Sequence, residues 1–166
     1  MFYLDLFRCL HAHDVRYVLV GGLAMNLHGV PHQSIDVDLV VEDEDASVMR
    51  LSGALKELQA HEGAAFQPVM RATRRPSRDF DTLRARADVR YIQNIEVPVA
   101  SVRDATDTAP DGYRVTDEQL AAYAQLTPLQ RLQWLDEARR FLLLALSVQA
   151  RERQERLRRG STIDAD

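Results

Sequence analysis

Cysteine is nearly missing from this chain. Cys9 stands alone, which excludes an intrachain disulfide and any cysteine zinc cluster. Lysine is as scarce, with Lys56 the only one among 21 basic residues. Basic charge is not in excess either: 25 acidic residues give a formal net charge of -4 and a pI of about 5.7. No global positive field therefore argues for a long nucleic acid partner. Nowhere does the chain reach the roughly 18 uninterrupted apolar residues of a membrane span. Its opening, MFYLDLFRCLHAH, carries Asp5 and Arg8 and lacks the basic start of a signal peptide. A cytoplasmic protein with no membrane partner is expected. What remains is an ordinary globular composition, 46% hydrophobic and 28% charged over 166 residues. That suits one domain, or a compact core with a helical extension.

The most informative stretch is residues 15–41, VRYVLVGGLAMNLHGVPHQSIDVDLVV. Val15 to Val20 is an apolar run with a β-branched bias that predicts a buried strand ending at Gly21 and Gly22. Leu23 to His28 reads as a short helix, stopped by Gly29 and Pro31. A second strand is predicted from Ile35 to Val41, with Asp36 and Asp38 inside it. Strand side chains alternate, so the two carboxylates are expected on one face and Ile35, Val37 and Leu39 on the other. Two unpaired like charges on an apolar strand are costly, and a bound cation would remove that cost. Mg²⁺ fits, because it takes oxygen ligands and is held by one or two carboxylates together with substrate phosphates. A Gly-Gly pair at the neighbouring strand end would let a triphosphate approach the backbone.

This arrangement resembles the nucleotidyltransferase superfamily with a DNA polymerase β type of core, whose signature is Gly-Gly or Gly-Ser followed by Asp-x-Asp or Asp-x-Glu. It is most similar to the small bacterial members of toxin–antitoxin and abortive-infection systems. The firm resemblance covers about residues 15–60. It implies that Gly21 and Gly22 bind phosphate and that Asp36 and Asp38 hold the metal. His32 and Ser34 fall where relatives often carry Arg and Thr, and are implied at the nucleotide; His for Arg loses a fixed positive fork. A third carboxylate on a later strand completes the family site as ligand or general base. Asp88 is the best match to it, ahead of Asp79, Asp81 and Glu96. The implied fold is α+β, a small mixed sheet covered by helices, over residues 1–103. The implied activity is transfer of a nucleoside monophosphate from an NTP, ATP first, with Mg²⁺ or Mn²⁺, to a hydroxyl on a protein or RNA. The alternative is a catalytically degenerate, antitoxin-like protein that binds a partner. A small-molecule nucleotidyltransferase is a third possibility.

The rest of the chain frames this centre. Phe2, Leu6, Cys9 and Leu10 have helical spacing, and His11, His13 and Asp14 read as surface residues at that helix end rather than a metal site. Ala46 to His61 reads as a helix with a stripe of Val48, Leu51, Leu55 and Leu58. Phe66 to Met70 reads as a short strand, and the arginine-rich segment after it as a basic loop that could meet a triphosphate, leading to a helical piece from Asp79 to Arg84. The run from Ala87 to Val102 predicts two strands meeting near Gln93-Asn94. Residues 103–115 form a connector. Thr116 with Gln119 predicts a capping box, and Thr127-Pro128 a second helix start, giving a helical extension over 116–158. Leu129, Leu132, Leu135, Ala138, Phe141, Leu142, Ala145 and Val148 make a long stripe, broadened by Trp134, that would pack on the core or join a protein partner or second copy through residues 128–148. The charged tail, 159–166, is expected to be disordered.

Overall fold

The computed structural model describes residues 1–32, 36–62, 77–101 and 116–145. Its elements are α1 (Phe2–Ala12), β1 (Tyr17–Val20), α2 (Gly21–Leu27), β2 (Asp38–Val41), α3 (Asp45–Glu62), α4 (Ser77–Ala85), β3 (Asp88–Ile92), β4 (Ile95–Val99), α5 (Asp117–Ala124) and α6 (Pro128–Ala145). The strands form one mixed sheet in the order β2-β1-β4-β3. β1 runs antiparallel to β2 and parallel to β4, while β3 and β4 form an antiparallel hairpin. A mixed α+β fold with a helical C-terminal extension is thus observed.

Local chemistry explains most boundaries. The β3–β4 hairpin turns on Gln93 and Asn94, both at positive φ, the geometry that matches the twist of the flanking strands. Thr116 and Gln119 form the full capping box of α5. Thr127 and Gln130 exchange the equivalent bonds ahead of Pro128. The start of β2 departs most from expectation. β2 begins at Asp38, and Asp36 lies in the bend before it; Ile35, the expected start, lies outside the described residues. The register explains this: Val20 pairs with Asp38, and at Gly21 the chain leaves β1 for α2. Asp36 and Val37 therefore have no β1 backbone to pair with.

The sheet divides the apolar residues between its faces. Tyr17, Leu19, Val97 and Val99 pack with α1, α2, α3 and α6 in the main core, joined by Leu39 and Val41. Val18 and Ala100 meet Phe80 of α4 on the other side, with Val20 and Val40 against them. The extension belongs to the main core: Leu132 and Leu135 of α6 are buried in it, and Asp136 Oδ1 accepts the Phe2 amide of α1 at 3.0 Å. Further along α6 the stripe outlasts the core, since Phe141 is 70% exposed and Leu142 is also exposed. On α3, Val48 is exposed because Ser47 takes the inward position, its hydroxyl donating to Glu42 Oε2 at 3.1 Å. His13 bonds to Glu57 at 2.7 Å. The expected strand 66–70, the basic loop before α4, the connector, Val148 and the 159–166 tail lie outside the described residues.

Three tyrosines make folding sensitive to alkali. Burial pushes Tyr3 and Tyr123 up from 10.0 to about 12, against the opposing charges of Arg139 and Arg131 respectively; burial also raises Tyr17 strongly. Each raised pKa favours the neutral folded form. Its stabilisation is complete below pH 10, where the unfolded chain titrates, and is lost as pH climbs from there through about 12. Urea midpoints are expected to be insensitive to tyrosine ionisation up to pH 10 and to fall steeply above it, in step with tyrosinate absorbance of the unfolding protein.

Candidate functional site

The site is built where β1 ends. The backbone passes from Val20, still extended, directly into α2 through Gly21, which has φ +67. The β1–β2 register sets Asp38 beside this junction. A Cβ on Gly21 would overlap Asp38 Oδ2, so the carboxylate rests against the bare Cα. Gly21 therefore answers to two demands, a left-handed conformation and a close approach. Gly22 is buried at the start of α2.

Asp38 and Asp36 are both exposed. Strand alternation puts Asp38 on the α4 side of the sheet with Val40. Asp36, in the bend, is outside that alternation; its charge acts on the Tyr3 hydroxyl in the main core, helping to raise its pKa. Ser34 lies outside the described residues. His32 is held by its main chain: its amide donates to Asn26 Oδ1 at 3.1 Å and its carbonyl accepts from Asn26 Nδ2 at 2.6 Å. Its ring Nδ1 is buried with no hydrogen-bond partner among the described residues.

Asp88 starts β3 as expected, but it stands apart from the other two acids. It pairs with Val99, whose side chain is in the main core, so Asp88 is on the opposite sheet face from Asp38. Its carboxylate is 57% exposed and lies 3.8 Å from His28 Nδ1. His28 is itself spoken for: Nε2 donates to the Ala100 carbonyl at 2.8 Å, which leaves Nδ1 to accept from Arg90 Nη2 at 3.1 Å. Among the weaker alternatives, Asp81 pairs with Arg16 at 3.4 Å, beyond the opposite end of β1, and Glu96 accepts from the Tyr91 hydroxyl at 2.9 Å. Asp79's side chain is outside the described residues. Among the described residues, no three His, Cys, Asp or Glu side chains are grouped to hold a metal ion.

Sequence alone assigns no role to the polar groups that organise this region. Asn26 is fully buried in α2 and uses its whole amide, and Arg131 of α6 donates from Nη1 to the Leu27 carbonyl at 2.7 Å and from Nη2 to the Ala124 carbonyl at 2.9 Å. Gly29, with φ +93, lies over that guanidinium, a Cβ there being 3.2 Å from Nη2. An asparagine in the otherwise apolar LAMNL was the available sequence clue to the first. None marked the second. Comparison of the chain with protein-family models, with curated proteins and with solved structures finds no match in any of the three.

Proposed function

We propose that this chain is a nucleotidyltransferase-type protein that binds a nucleoside triphosphate with Mg²⁺ or Mn²⁺ at Asp36 and Asp38, beside Gly21 and Gly22. The observation that carries this reading is the seat of the Asp38 carboxylate on Gly21 at the β1–α2 junction: an acid meets a backbone stripped of side chain, as a metal-bound polyphosphate requires. Two carboxylates meet the least that Mg²⁺ needs when substrate phosphates complete its shell. A divalent cation held there would offset the negative charge of the phosphates. The reaction would be attack of an acceptor hydroxyl, on a protein or RNA, at the α-phosphorus of ATP or another NTP, with pyrophosphate leaving. Asp36 and Asp38 would orient the triphosphate, and Gly21 and Gly22 would admit it.

A second reading is favoured by Asp88, which faces His28 instead of joining the pair. A two-acid site would bind nucleotide yet lack the third group that helps take the acceptor proton. The protein would then act by binding a partner, for which α6 offers the exposed Trp134, Phe141 and Leu142.

Titration calorimetry with Mg²⁺ or Mn²⁺ and each nucleoside triphosphate tests both readings against a variant carrying Asp36→Asn and Asp38→Asn. Metal-dependent binding by the wild type should weaken in the variant by more than the roughly 10–100-fold that groups outside a metal's own ligands usually carry. Absence of binding by the wild type would shift the assignment to the partner-binding protein.

A further inference from the structure

We infer that Asn26 and Tyr123 are positioning residues for the nucleotide site, and that the helical extension acts on the site through them. The inference rests on the nucleotide reading above and adds a means of control to it.

Asn26 has 0% exposure, and its amide is saturated. Nδ2 donates to the Gly22 carbonyl at 2.9 Å and to the His32 carbonyl at 2.6 Å; Oδ1 accepts from the His32 amide at 3.1 Å and from the Tyr123 hydroxyl at 2.7 Å. An asparagine can make four such bonds, and here it makes all four. Three go to backbone at the site's two halves. Gly22 follows the glycine on which Asp38 rests, and His32 stands four residues before Asp36. The amide grips His32 at both its N–H and its C=O, as a neighbouring strand would. One side chain thus ties the glycine pair to the segment that leads to the acids.

The fourth bond comes from the extension. Tyr123 is buried on α5, and its ring packs edge-on to Trp134 at 5.6 Å and against the Arg131 guanidinium at 5.7 Å. Arg131 in turn bonds the carbonyls of Leu27 and Ala124, the residues just after Asn26 and Tyr123. Asn26 and Tyr123 are therefore fixed relative to each other by two links, side chain to side chain and guanidinium to both backbones. Anything that shifts α5 withdraws a donor from a buried Asn26 oxygen and loosens the grip on His32. By linkage, a ligand that orders the site strengthens the seating of α5 to the same degree.

The test uses Tyr123→Phe, which keeps the ring and removes only the donor, and Glu137→Gln as a control on the exposed face of α6. Amide hydrogen exchange at His32 in the protein alone should speed by about fivefold in Tyr123→Phe, the size of one net hydrogen bond, while amides of the β3–β4 hairpin keep their protection. Mg–ATP affinity should fall by about the same factor, with Glu137→Gln unchanged in both. Unchanged exchange at His32 overturns the proposal, and so does faster exchange with wild-type affinity for Mg–ATP. Acceleration spread evenly over the hairpin also overturns it, because that is general destabilisation. If the wild type binds no Mg–ATP, the nucleotide reading fails, and the exchange arm alone then decides whether Tyr123 and Asn26 clamp the segment.

Discussion

Gly21→Ala is expected to weaken Mg–ATP binding by more than tenfold while the protein stays folded. Two effects combine. Alanine at φ +67 is strained by about 1 kcal/mol, and its methyl would occupy the space taken by Asp38 Oδ2. The carboxylate is an exposed side chain at a strand end, so it gives way before the backbone does. Stability should therefore fall only by the backbone strain, about 2–4 °C in Tm for a chain of this length, whereas the acid is displaced from its seat. Gly29→Ala separates the two effects. Gly29 is also left-handed, with φ +93, but its neighbour is the Arg131 guanidinium. That variant should lose at least as much stability and far less affinity. Calorimetric titration and thermal melts of both variants give the comparison, and equal affinity loss in the two would overturn the role assigned to Asp38 at Gly21.

Arg131→Met should produce the largest loss of stability of any surface-to-core arginine change in the described fold, about 3 kcal/mol, or roughly 10 °C in Tm. Arg131 is 8% exposed, and burial lowers its pKa. Methionine can fill the space of the stem. It cannot replace the two donations to the carbonyls of Leu27 and Ala124. The first of these ends α2, and a helix C-terminus leaves such carbonyls without intrahelical partners; each stranded, buried acceptor costs about 1–3 kcal/mol. Arg8→Met is the contrast, because Arg8 is exposed and pairs with Asp5 on the surface, where such a pair is worth about 0–1 kcal/mol. Urea unfolding of the two variants measures the difference; a loss in Arg131→Met no larger than in Arg8→Met would show that the extension is not locked to α2 through this side chain.

These expectations separate what local pattern dictates from what assembly adds. The β1–α2 junction was legible because a β-branched run, two glycines and the short stretch Leu23 to His28 each have one local solution. Thr116 with Gln119, Thr127 before Pro128, and Gln93-Asn94 were legible for the same reason, since caps and two-residue turns are set by neighbours in sequence. Asp36 was not. Its pattern, alternating with Ile35, Val37 and Leu39, has the period of a strand, but a strand extends only as far as its partner does, and β1 stops at Val20.

By itself, then, the sequence determined most of the described elements, the apolar faces of α1 and the start of α6, and the closeness of Gly21 and Asp38 to one strand end. Tertiary structure alone decided which face each acid serves. Asp88 begins a strand as its neighbours dictate, yet pairing with Val99 turns it towards His28 and away from Asp38. It also decided that the extension is part of the core, with Tyr123 and Arg131 reaching α2 from about a hundred residues away. The physical reason is the same in both cases: periodicity fixes a side chain's direction relative to its own backbone, whereas the register between strands and the docking of distant helices fix what that direction meets.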